Sequence, residues 1–211
     1  MMSIKTLLAD VRLLPVLVIN ELEQALPLAK ALMDAGFTAI EVTLRSPCAS
    51  EAIRLIKAEC PDLIVGAGTV TDKRSFATAM AAGSDFLVSP GFTSNLAEVA
   101  RTSDVPLIPG VATPSEAMLA SDMGYELLKL FPAEAVGGRA LLKSIAGPLP
   151  DIRFCPTGGI TADSAPDYLE LPNVFCVGGS WMVPGSLLAA RDWQGITNLA
   201  REALAACAVD S

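Results

Sequence analysis

The chain of 211 residues is 52% hydrophobic and carries a formal net charge of −8 at pH 7. This length suits one domain over 1–211, and the acidic balance argues against non-specific nucleic-acid binding, which requires basic patches. No apolar stretch reaches the roughly 18–20 residues that cross a bilayer, and the N-terminus lacks the order of a signal peptide, so we expect a cytoplasmic protein without membrane partners.

Strand-like runs rich in Val, Ile and Leu alternate with amphipathic helical stretches in eight units along the chain. The units repeat about every 25 residues. Strands with helices between them indicate a parallel sheet, and eight units closing on themselves give a (β/α)8 TIM barrel of the α/β class; a doubly wound open sheet is the alternative. A short amphipathic N-terminal helix within 1–10 precedes the repeat. The predicted strands are 14–19, 38–44, 63–68, 85–89, 105–109, 126–131, 152–157 and 174–177, and the clearest helices are 21–35, 49–59, 75–82 and 94–101.

Residues at the ends of the helical patterns support these boundaries. Gly36, Gly83 and Gly124 each follow a helical pattern and precede a strand, where a left-handed residue ends a helix. Ser94 and Thr161 are predicted to open helices as side-chain N-caps. Together these residues fix the register of the repeating units.

One lysine in the sixth predicted strand needs an explanation. Lys129 has apolar neighbours on both sides, and alternation along a strand puts it on one face with Leu127 and Phe131. Burying an ammonium is costly, and an apolar surround favours the free amine that attacks carbonyl groups. Lys129 is therefore either a nucleophile or a structural lysine that snorkels from an edge strand or pairs with a buried acid.

In a barrel of this type, functional residues gather at the carboxyl ends of the strands. The second strand supplies Glu41, Thr43 and Arg45 on one face. Glu41 and Arg45 could form a buried ion pair that only closes the barrel. With Lys129 added, the set contains an amine to form an imine, a carboxylate to move protons and an arginine to hold a carboxylate, which a lysine-dependent aldolase of 2-keto acids needs.

Other strand ends add glycines and hydroxyls. The third strand ends in Gly66-Ala67-Gly68-Thr69, where the glycines could serve tight packing and Thr69 could be only the N-cap of the next helix. Gly158-Gly159 and Gly178-Gly179 follow the seventh and eighth strands as predicted turns, and the hydroxyl of Ser180 comes next. Loops after these two strands form the recurrent phosphate site of the barrel, so phosphate binding is favoured over bare turns.

The content of cysteine and histidine narrows the possible chemistry. Five cysteines are scattered without close pairs, which fits reduced thiols that act as small hydrophobic residues. Histidine is absent, which removes the commonest general base and the commonest transition-metal ligand. Acid–base chemistry must therefore use carboxylates, lysine or other groups.

Seven longer motifs lie along the chain, and five of them include the candidate site residues named above. They are Glu41-Val42-Thr43-Leu44-Arg45, Gly66-Ala67-Gly68-Thr69-Val70, Ser89-Pro90-Gly91, Pro106-Leu107-Ile108-Pro109-Gly110, Lys129-Leu130-Phe131-Pro132-Ala133-Glu134, Arg153-Phe154-Cys155-Pro156-Thr157-Gly158-Gly159-Ile160 and Gly178-Gly179-Ser180-Trp181. Through them the chain resembles, almost end to end, the 2-keto-3-deoxy-6-phosphogluconate (KDPG) and 4-hydroxy-2-oxoglutarate aldolases. The resemblance implies a class I Schiff-base aldolase of the Entner–Doudoroff pathway that cleaves KDPG to pyruvate and glyceraldehyde 3-phosphate. Some members also cleave 4-hydroxy-2-oxoglutarate to pyruvate and glyoxylate.

The resemblance also implies roles for individual residues. Lys129 would be the Schiff-base lysine and Glu41 the general acid–base, while Arg45 and Thr69 would bind the pyruvate moiety and Pro90 would shape stereochemistry. A cytoplasmic homotrimer without a metal or organic cofactor is implied as well. Val136 and Arg139 depart from the family pattern, but no catalytic group is missing. Phe131 and Thr157 complete the expected substrate site, and the expected phosphate site consists of Gly158, Gly159, Gly178, Gly179 and Ser180.

Three alternative functions remain. The related 2-keto-3-deoxy-6-phosphogalactonate aldolases share the lysine and glutamate but have second-strand and eighth-strand motifs less like those here. A barrel that only binds a phosphorylated metabolite would keep the Gly-Gly segments but would have no use for a buried amine. A metal-dependent aldolase or epimerase is disfavoured by the missing histidines.

Overall fold

The computed structural model describes residues 4–208, so the first three residues of the predicted N-terminal helix lie outside it. Strands and helices alternate along these residues, and every pair of neighbouring strands is parallel. The strands are β1 (Leu13–Leu17), β2 (Ala39–Thr43), β3 (Ile64–Gly68), β4 (Phe86–Val88), β5 (Leu107–Ile108), β6 (Gly110–Val111), β7 (Leu127–Leu130), β8 (Arg153–Pro156) and β9 (Val177–Gly179). The helices are α1 (Ile4–Leu7), α2 (Ala25–Ala35), α3 (Ala49–Glu59), α4 (Lys73–Ala81), α5 (Ser94–Arg101), α6 (Pro114–Asp122), α7 (Gly138–Ala146), α8 (Ala165–Leu169), α9 (Gly185–Ala189) and α10 (Trp193–Ala206), with short 3-10 turns at Leu22–Gln24 and Glu134–Val136.

The strands form two sheets that curl around a common interior. One sheet has the order β5-β4-β3-β2-β1-β9, and the other has the order β6-β7-β8. Only Pro109, which has no N–H to donate, separates β5 from β6, and its carbonyl accepts a 2.9 Å hydrogen bond from the Lys129 N–H. On the other border, single bridges join Phe154 to Val174 and Thr157 to Gly178. The fold is thus α/β with parallel strands, as predicted, but regular ladders do not join all strands into one sheet.

The eighth predicted strand, 174–177, overlaps the regular strand only at Val177, although Val174 forms a single bridge to Phe154. The paired segment is Val177–Gly179, so Gly178 and Gly179 belong to a strand and not to a turn. Glycine is needed at Gly178 because a Cβ there would lie 2.2 Å from Oγ1 of Thr157, the residue after β8. The apolar run at 174–177 correctly marked burial, but the pairing extends into residues whose lack of a side chain allows close approach.

Most helix ends agree with the sequence prediction. Gly36, Gly83 and Gly124 all have positive φ, and helices α3 and α5 have the predicted bounds. The predicted helix 21–35 begins as a 3-10 turn before α2. The helix predicted at 75–82 starts earlier, at Lys73, because the Asp72 side chain caps it.

The two predicted N-caps need correction. The Thr93 hydroxyl, not that of Ser94, accepts the 3.3 Å hydrogen bond from the Leu96 N–H that caps α5. Thr161 accepts a 3.3 Å bond from the Ser164 N–H in a turn, and α8 begins only after Ser164. Neighbouring hydroxyl residues compete for a cap, and the sequence alone does not rank them.

The buried apolar residues form two layers. Leu128 and Leu130 of β7 belong to the larger layer, which lies between the sheets and the helices. The smaller layer fills the space enclosed by the strands, and its members include Leu14, Phe86, Ile108, Cys155 and Cys176, with Leu8 and Val11 beside α1. The predicted alternation of β7 is confirmed. Within residues 4–208, no helix has the length and apolar character needed to span a membrane.

Packing of Phe86 in the interior layer requires glycine at position 66, which predicts the effect of a substitution on stability. A Cβ at Gly66 would lie 2.2 Å from the Phe86 ring, so Gly66→Ala should lower the free energy of unfolding by about 2–3 kcal/mol. Gly147 is the matched control, because it has a φ of −68° and open space around it. Gly147→Ala should raise stability by about 0.5–1 kcal/mol. Urea unfolding of both variants is the measurement, and equal stabilities would show that the interior does not depend on Gly66.

Candidate active site

A cavity of about 570 Å³ opens where the strands end at their carboxyl side. Residues from the ends of seven strands line it, from β1 to β9. Such a cavity occupies the position where α/β proteins with parallel strands bind ligands. All the site residues predicted from the sequence line this one cavity: Glu41, Arg45, Thr69, Pro90, Lys129, Phe131, Thr157, Gly158, Gly159, Gly178, Gly179 and Ser180.

A buried ion pair lies at the bottom of the cavity. Lys129 Nζ on β7 donates to Glu41 Oε1 on β2 over 3.2 Å, and the two side chains are 8% and 2% exposed. The ring of Phe131 lies 5.4 Å from the ammonium. The partner of Glu41 is thus Lys129, and Arg45 bonds to Thr43, so the alternative of a Glu41–Arg45 ion pair is wrong. A carboxylate in contact with a buried amine can take up its proton and leave the neutral amine.

The position of Glu41 depends on a glycine of the neighbouring strand. A Cβ at Gly68 would lie 2.1 Å from Glu41 Oε1. Gly68 is opposite Thr43 in the β2–β3 ladder, one side-chain step beyond Glu41. The missing side chain at Gly68 therefore creates the space in which the carboxylate reaches Lys129, which is a more specific role than tight packing.

Arg45 follows the end of β2 and is held by a hydroxyl of that strand. Arg45 Nε donates to Thr43 Oγ1 over 3.1 Å. The Thr43 hydroxyl in turn donates to the Leu17 carbonyl of β1 over 2.8 Å. Because this bond uses Nε, the two terminal nitrogens of the guanidinium are a donor pair suited to a carboxylate.

Thr69 adopts an unusual backbone conformation at the edge of the cavity. Its φ is +61°, in the left-handed region that is costly for a β-branched residue. The suggestion that Thr69 is only an N-cap is wrong, since Asp72 caps α4. Strained residues of this kind persist where the surrounding structure fixes them, often at functional sites.

The end of the cavity at β8 and β9 is formed mainly by backbone. Gly158 and Gly159 have φ values of +104° and +82°, so the first predicted Gly-Gly turn is present. A Cβ at Gly159 would lie 2.8 Å from Glu134, whose N–H donates to the Gly158 carbonyl over 3.1 Å. Ser180 is exposed at the end of β9. This end offers backbone and hydroxyl groups to a ligand, with little side-chain bulk.

Two buried thiols lie close to the ion pair. Cys155 is opposite Lys129 in the β7–β8 ladder, and Cys176 belongs to the same interior layer. Burial raises the pKa of Cys176 well above its usual range, so this thiol stays protonated. All five cysteines of the chain are free.

Several cavity residues were missed. Thr43 was placed on the functional face but was given no role, although it binds Arg45. Asn20, which follows β1, also lines the cavity, and the rule that strand ends carry functional groups would have found it. Val183 and Leu188 come from the segment after β9, for which the sequence held no signal.

The fold and this cavity define an α/β protein with an enzyme-type ligand site at the carboxyl ends of parallel strands. Comparison with known families shows to which family this protein belongs. The model of the KDPG and KHG aldolase family matches residues 4–199. The chain belongs to the KDPG and KHG aldolase family.

Individual relatives agree with this assignment. The 2-dehydro-3-deoxy-phosphogluconate aldolase of Dickeya dadantii is 55% identical over 191 residues, which cover 90% of each chain. A crystal structure of the KDPG aldolase from Legionella pneumophila superposes with a TM-score of 0.93 at 46% identity, covering 95% of this chain and 97% of that one; it holds pyruvate captured at low pH as a covalent carbinolamine intermediate. The KDPG aldolase of Zymomonas mobilis ZM4, solved with 3-phosphoglycerate, has a TM-score of 0.87 at 48% identity, covering 92% and 90%.

The strain at Thr69 predicts an unusual response to glycine. Thr69→Gly should leave the free energy of unfolding unchanged or raise it by up to about 1 kcal/mol, because glycine adopts positive φ without cost. Thr102, with a φ of −98°, is the control, and Thr102→Gly should lose about 1 kcal/mol. Chemical denaturation measures both, and an equal loss would show that the Thr69 backbone stores no strain.

Proposed function

We propose that this chain is a class I aldolase that cleaves KDPG to pyruvate and glyceraldehyde 3-phosphate through an imine on Lys129. The observation that carries the proposal is the buried contact of 3.2 Å between Lys129 Nζ and Glu41 Oε1 inside the cavity. The names of the Dickeya and Legionella relatives support the same reaction. Because the matching family also includes KHG aldolases, 4-hydroxy-2-oxoglutarate is a second substrate in this proposal.

We further propose that the two sheets are parts of one (β/α)8 barrel domain. Two observations support closure: only Pro109 separates β5 from β6, and two bridges connect β8 and the residue after it with the segment 174–178. The proposal extends to a cytoplasmic homotrimer that needs neither a metal nor an organic cofactor, as the family resemblance implies.

The reaction begins with proton transfer inside the ion pair. Glu41 takes a proton from the Lys129 ammonium, and the free amine attacks the C2 ketone of the substrate. Glu41 gives that proton to the C2 oxygen, then carries a second proton from the carbinolamine nitrogen to the same oxygen, which leaves as water and gives a protonated imine. Arg45 binds the C1 carboxylate with its terminal nitrogens and Thr69 assists, so that C2 stays within reach of Nζ.

Cleavage uses the imine as an electron sink. Glu41, directly or through a water, removes the proton of the C4 hydroxyl. The electron pair of the C3–C4 bond moves into the imine, and glyceraldehyde 3-phosphate leaves as the aldehyde. The remaining enamine is protonated at C3, and water hydrolyses the imine to release pyruvate and regenerate the lysine.

The far end of the cavity binds the phosphate of the substrate. The Gly158-Gly159 turn, the strand glycines Gly178 and Gly179 and the Ser180 hydroxyl supply donors without bulk. The Zymomonas relative, whose structure contains 3-phosphoglycerate, supports a phosphorylated ligand in this family. Pro90 and Phe131 form walls beside the reacting carbons and Thr157 contributes a hydroxyl, so these residues orient the aldehyde and shape stereochemistry.

Borohydride trapping tests the chemistry directly. Incubation with pyruvate and borohydride should reduce the imine to a secondary amine, and peptide mass spectrometry should locate it on Lys129. Lys57 is an internal control, because it pairs with Asp85 at 2.7 Å but does not line the cavity, and it should remain unmodified. Lys129→Met should abolish the adduct. A folded wild type without an adduct would refute the Schiff base and favour a metal-dependent or binding-only protein.

Substrate choice separates this proposal from the phosphogalactonate alternative. The two keto-deoxy acids differ in configuration at C4, so kcat/KM with each substrate compares them directly. A higher value for KDPG supports the proposal, whereas a higher value for the galactonate-derived epimer would reassign the enzyme.

The proposed phosphate contact of Ser180 predicts that its hydroxyl favours the phosphorylated over the unphosphorylated substrate. Ser180→Ala should lower kcat/KM for the phosphorylated substrate about tenfold and leave the unphosphorylated keto-deoxy acid nearly unchanged, because one donor to a charged group is lost. Ser144→Ala, which changes an exposed serine on α7, is the matched control. An equal loss with both substrates would contradict the phosphate role of Ser180.

A further inference from the structure

The Thr43 hydroxyl occupies a position between the sheet and a substrate-binding arginine. Thr43 is 2% exposed and lines the cavity, yet it is too deeply set in β2 to be an ordinary surface hydroxyl. Its oxygen accepts from Arg45 Nε over 3.1 Å, and its proton goes to the Leu17 carbonyl over 2.8 Å. The Thr43 hydroxyl therefore both donates and accepts a hydrogen bond, and these two bonds fix its orientation.

The order of these bonds matters. Because the hydroxyl proton is directed to the Leu17 carbonyl, the lone pairs of the oxygen are available to the guanidinium. Leu17 and Val42 are partners in the β1–β2 ladder, so the accepting carbonyl belongs to rigid, buried strand structure. The Thr43 hydroxyl thus links the Arg45 side chain to a rigid strand and restricts its movement.

Arg45 needs such support. It lies two residues beyond Thr43, after β2 has ended, and the residue is exposed. A long, exposed side chain loses rotamer freedom when it binds a ligand, and a partner that holds it beforehand reduces that loss. A bond at Nε also restricts the plane of the guanidinium and so the direction of its terminal nitrogens.

We propose that Thr43 is a positioning residue for carboxylate recognition, acting through Arg45. The inference rests on the proposed function, in which Arg45 binds the C1 carboxylate of the keto acid. Thr43 does not touch the reacting atoms. Its hydroxyl sets the orientation in which the guanidinium meets the carboxylate, so its loss weakens binding of 2-keto acids while the amine chemistry of Lys129 continues.

A purely structural role makes a different prediction. If the Thr43 hydroxyl only satisfied the Leu17 carbonyl, its removal would affect all carbonyl compounds equally or only lower stability. Methyl pyruvate separates the two roles, because this neutral ester has the ketone of pyruvate but lacks the carboxylate that Arg45 binds.

The experiment measures the dependence of borohydride trapping on the concentration of pyruvate and of methyl pyruvate. Thr43→Val keeps the shape and removes the hydroxyl, and it should raise the half-saturating pyruvate concentration about tenfold, with maximal trapping within about twofold of wild type. The half-saturating concentration of methyl pyruvate should change less than about twofold. Thr43→Ser, which restores the hydroxyl, should return the pyruvate value toward that of wild type.

Two controls complete the design. Thr197 on α10 is another buried threonine, 6% exposed, whose hydroxyl donates to the Ala31 carbonyl over 3.0 Å; Thr197→Val should lose a comparable bond without any change in pyruvate saturation. In an Arg45→Ala background, Thr43→Val should have no further effect on pyruvate, because the two residues act as a unit. If Thr43→Val does not fold, Thr43→Ala and Thr43→Ser give the same comparison.

The outcomes distinguish this inference from the function on which it rests. A wild type that traps neither ketone refutes the proposed function. A wild type that traps pyruvate, with a Thr43→Val variant that matches it or weakens pyruvate and methyl pyruvate by the same factor, refutes the role of Thr43 alone. Additive effects of Thr43→Val and Arg45→Ala would also overturn it.

Discussion

The buried pair of Lys129 and Glu41 is the interaction on which the rest of the site depends. Removing two charges from water costs several kcal/mol for each, and their attraction offsets this only with good geometry. A buried ion pair is therefore a weak source of stability, and apolar residues of similar size would often serve the fold as well. What the pair provides is an amine and a proton acceptor in contact, 88 residues apart in sequence and joined only by the fold.

The space around this pair is controlled by glycines that face large side chains. Gly68 leaves room for Glu41, Gly66 for the Phe86 ring, and Gly178 for Thr157. In each case the large side chain comes from a neighbouring strand and enters a volume that any Cβ would fill. Because protein interiors are close-packed, the space left by each glycine determines the position of the side chain that fills it. The geometry of the cavity follows from packing below it as much as from the groups that line it.

The sequence correctly predicts those features of the site that depend on burial and on the alternation of side chains along a strand. Alternation along β7 correctly placed Lys129 inside, and the rule about strand ends gathered the site residues into one cavity. Pairing was harder, because it depends on contacts between distant segments. The predicted eighth strand begins three residues before β9, and the sequence leaves open a pair of Glu41 with Arg45, whereas the partner of Glu41 is Lys129.

The two ends of the cavity differ in the kind of structure that forms them. At the inner end, charged side chains lie on buried strands in a region of low dielectric, where small changes in distance alter proton transfer most. At the end formed by the residues after β8 and β9, a glycine turn and the exposed Ser180 offer donors near water, which in the proposed function bind the phosphate. Arg45 is exposed, but through Thr43 it is connected to the buried strands. In the proposed function, the carboxylate of a keto acid is thus held by an arginine that the buried strands position, and the phosphorylated end by the accessible rim of the cavity.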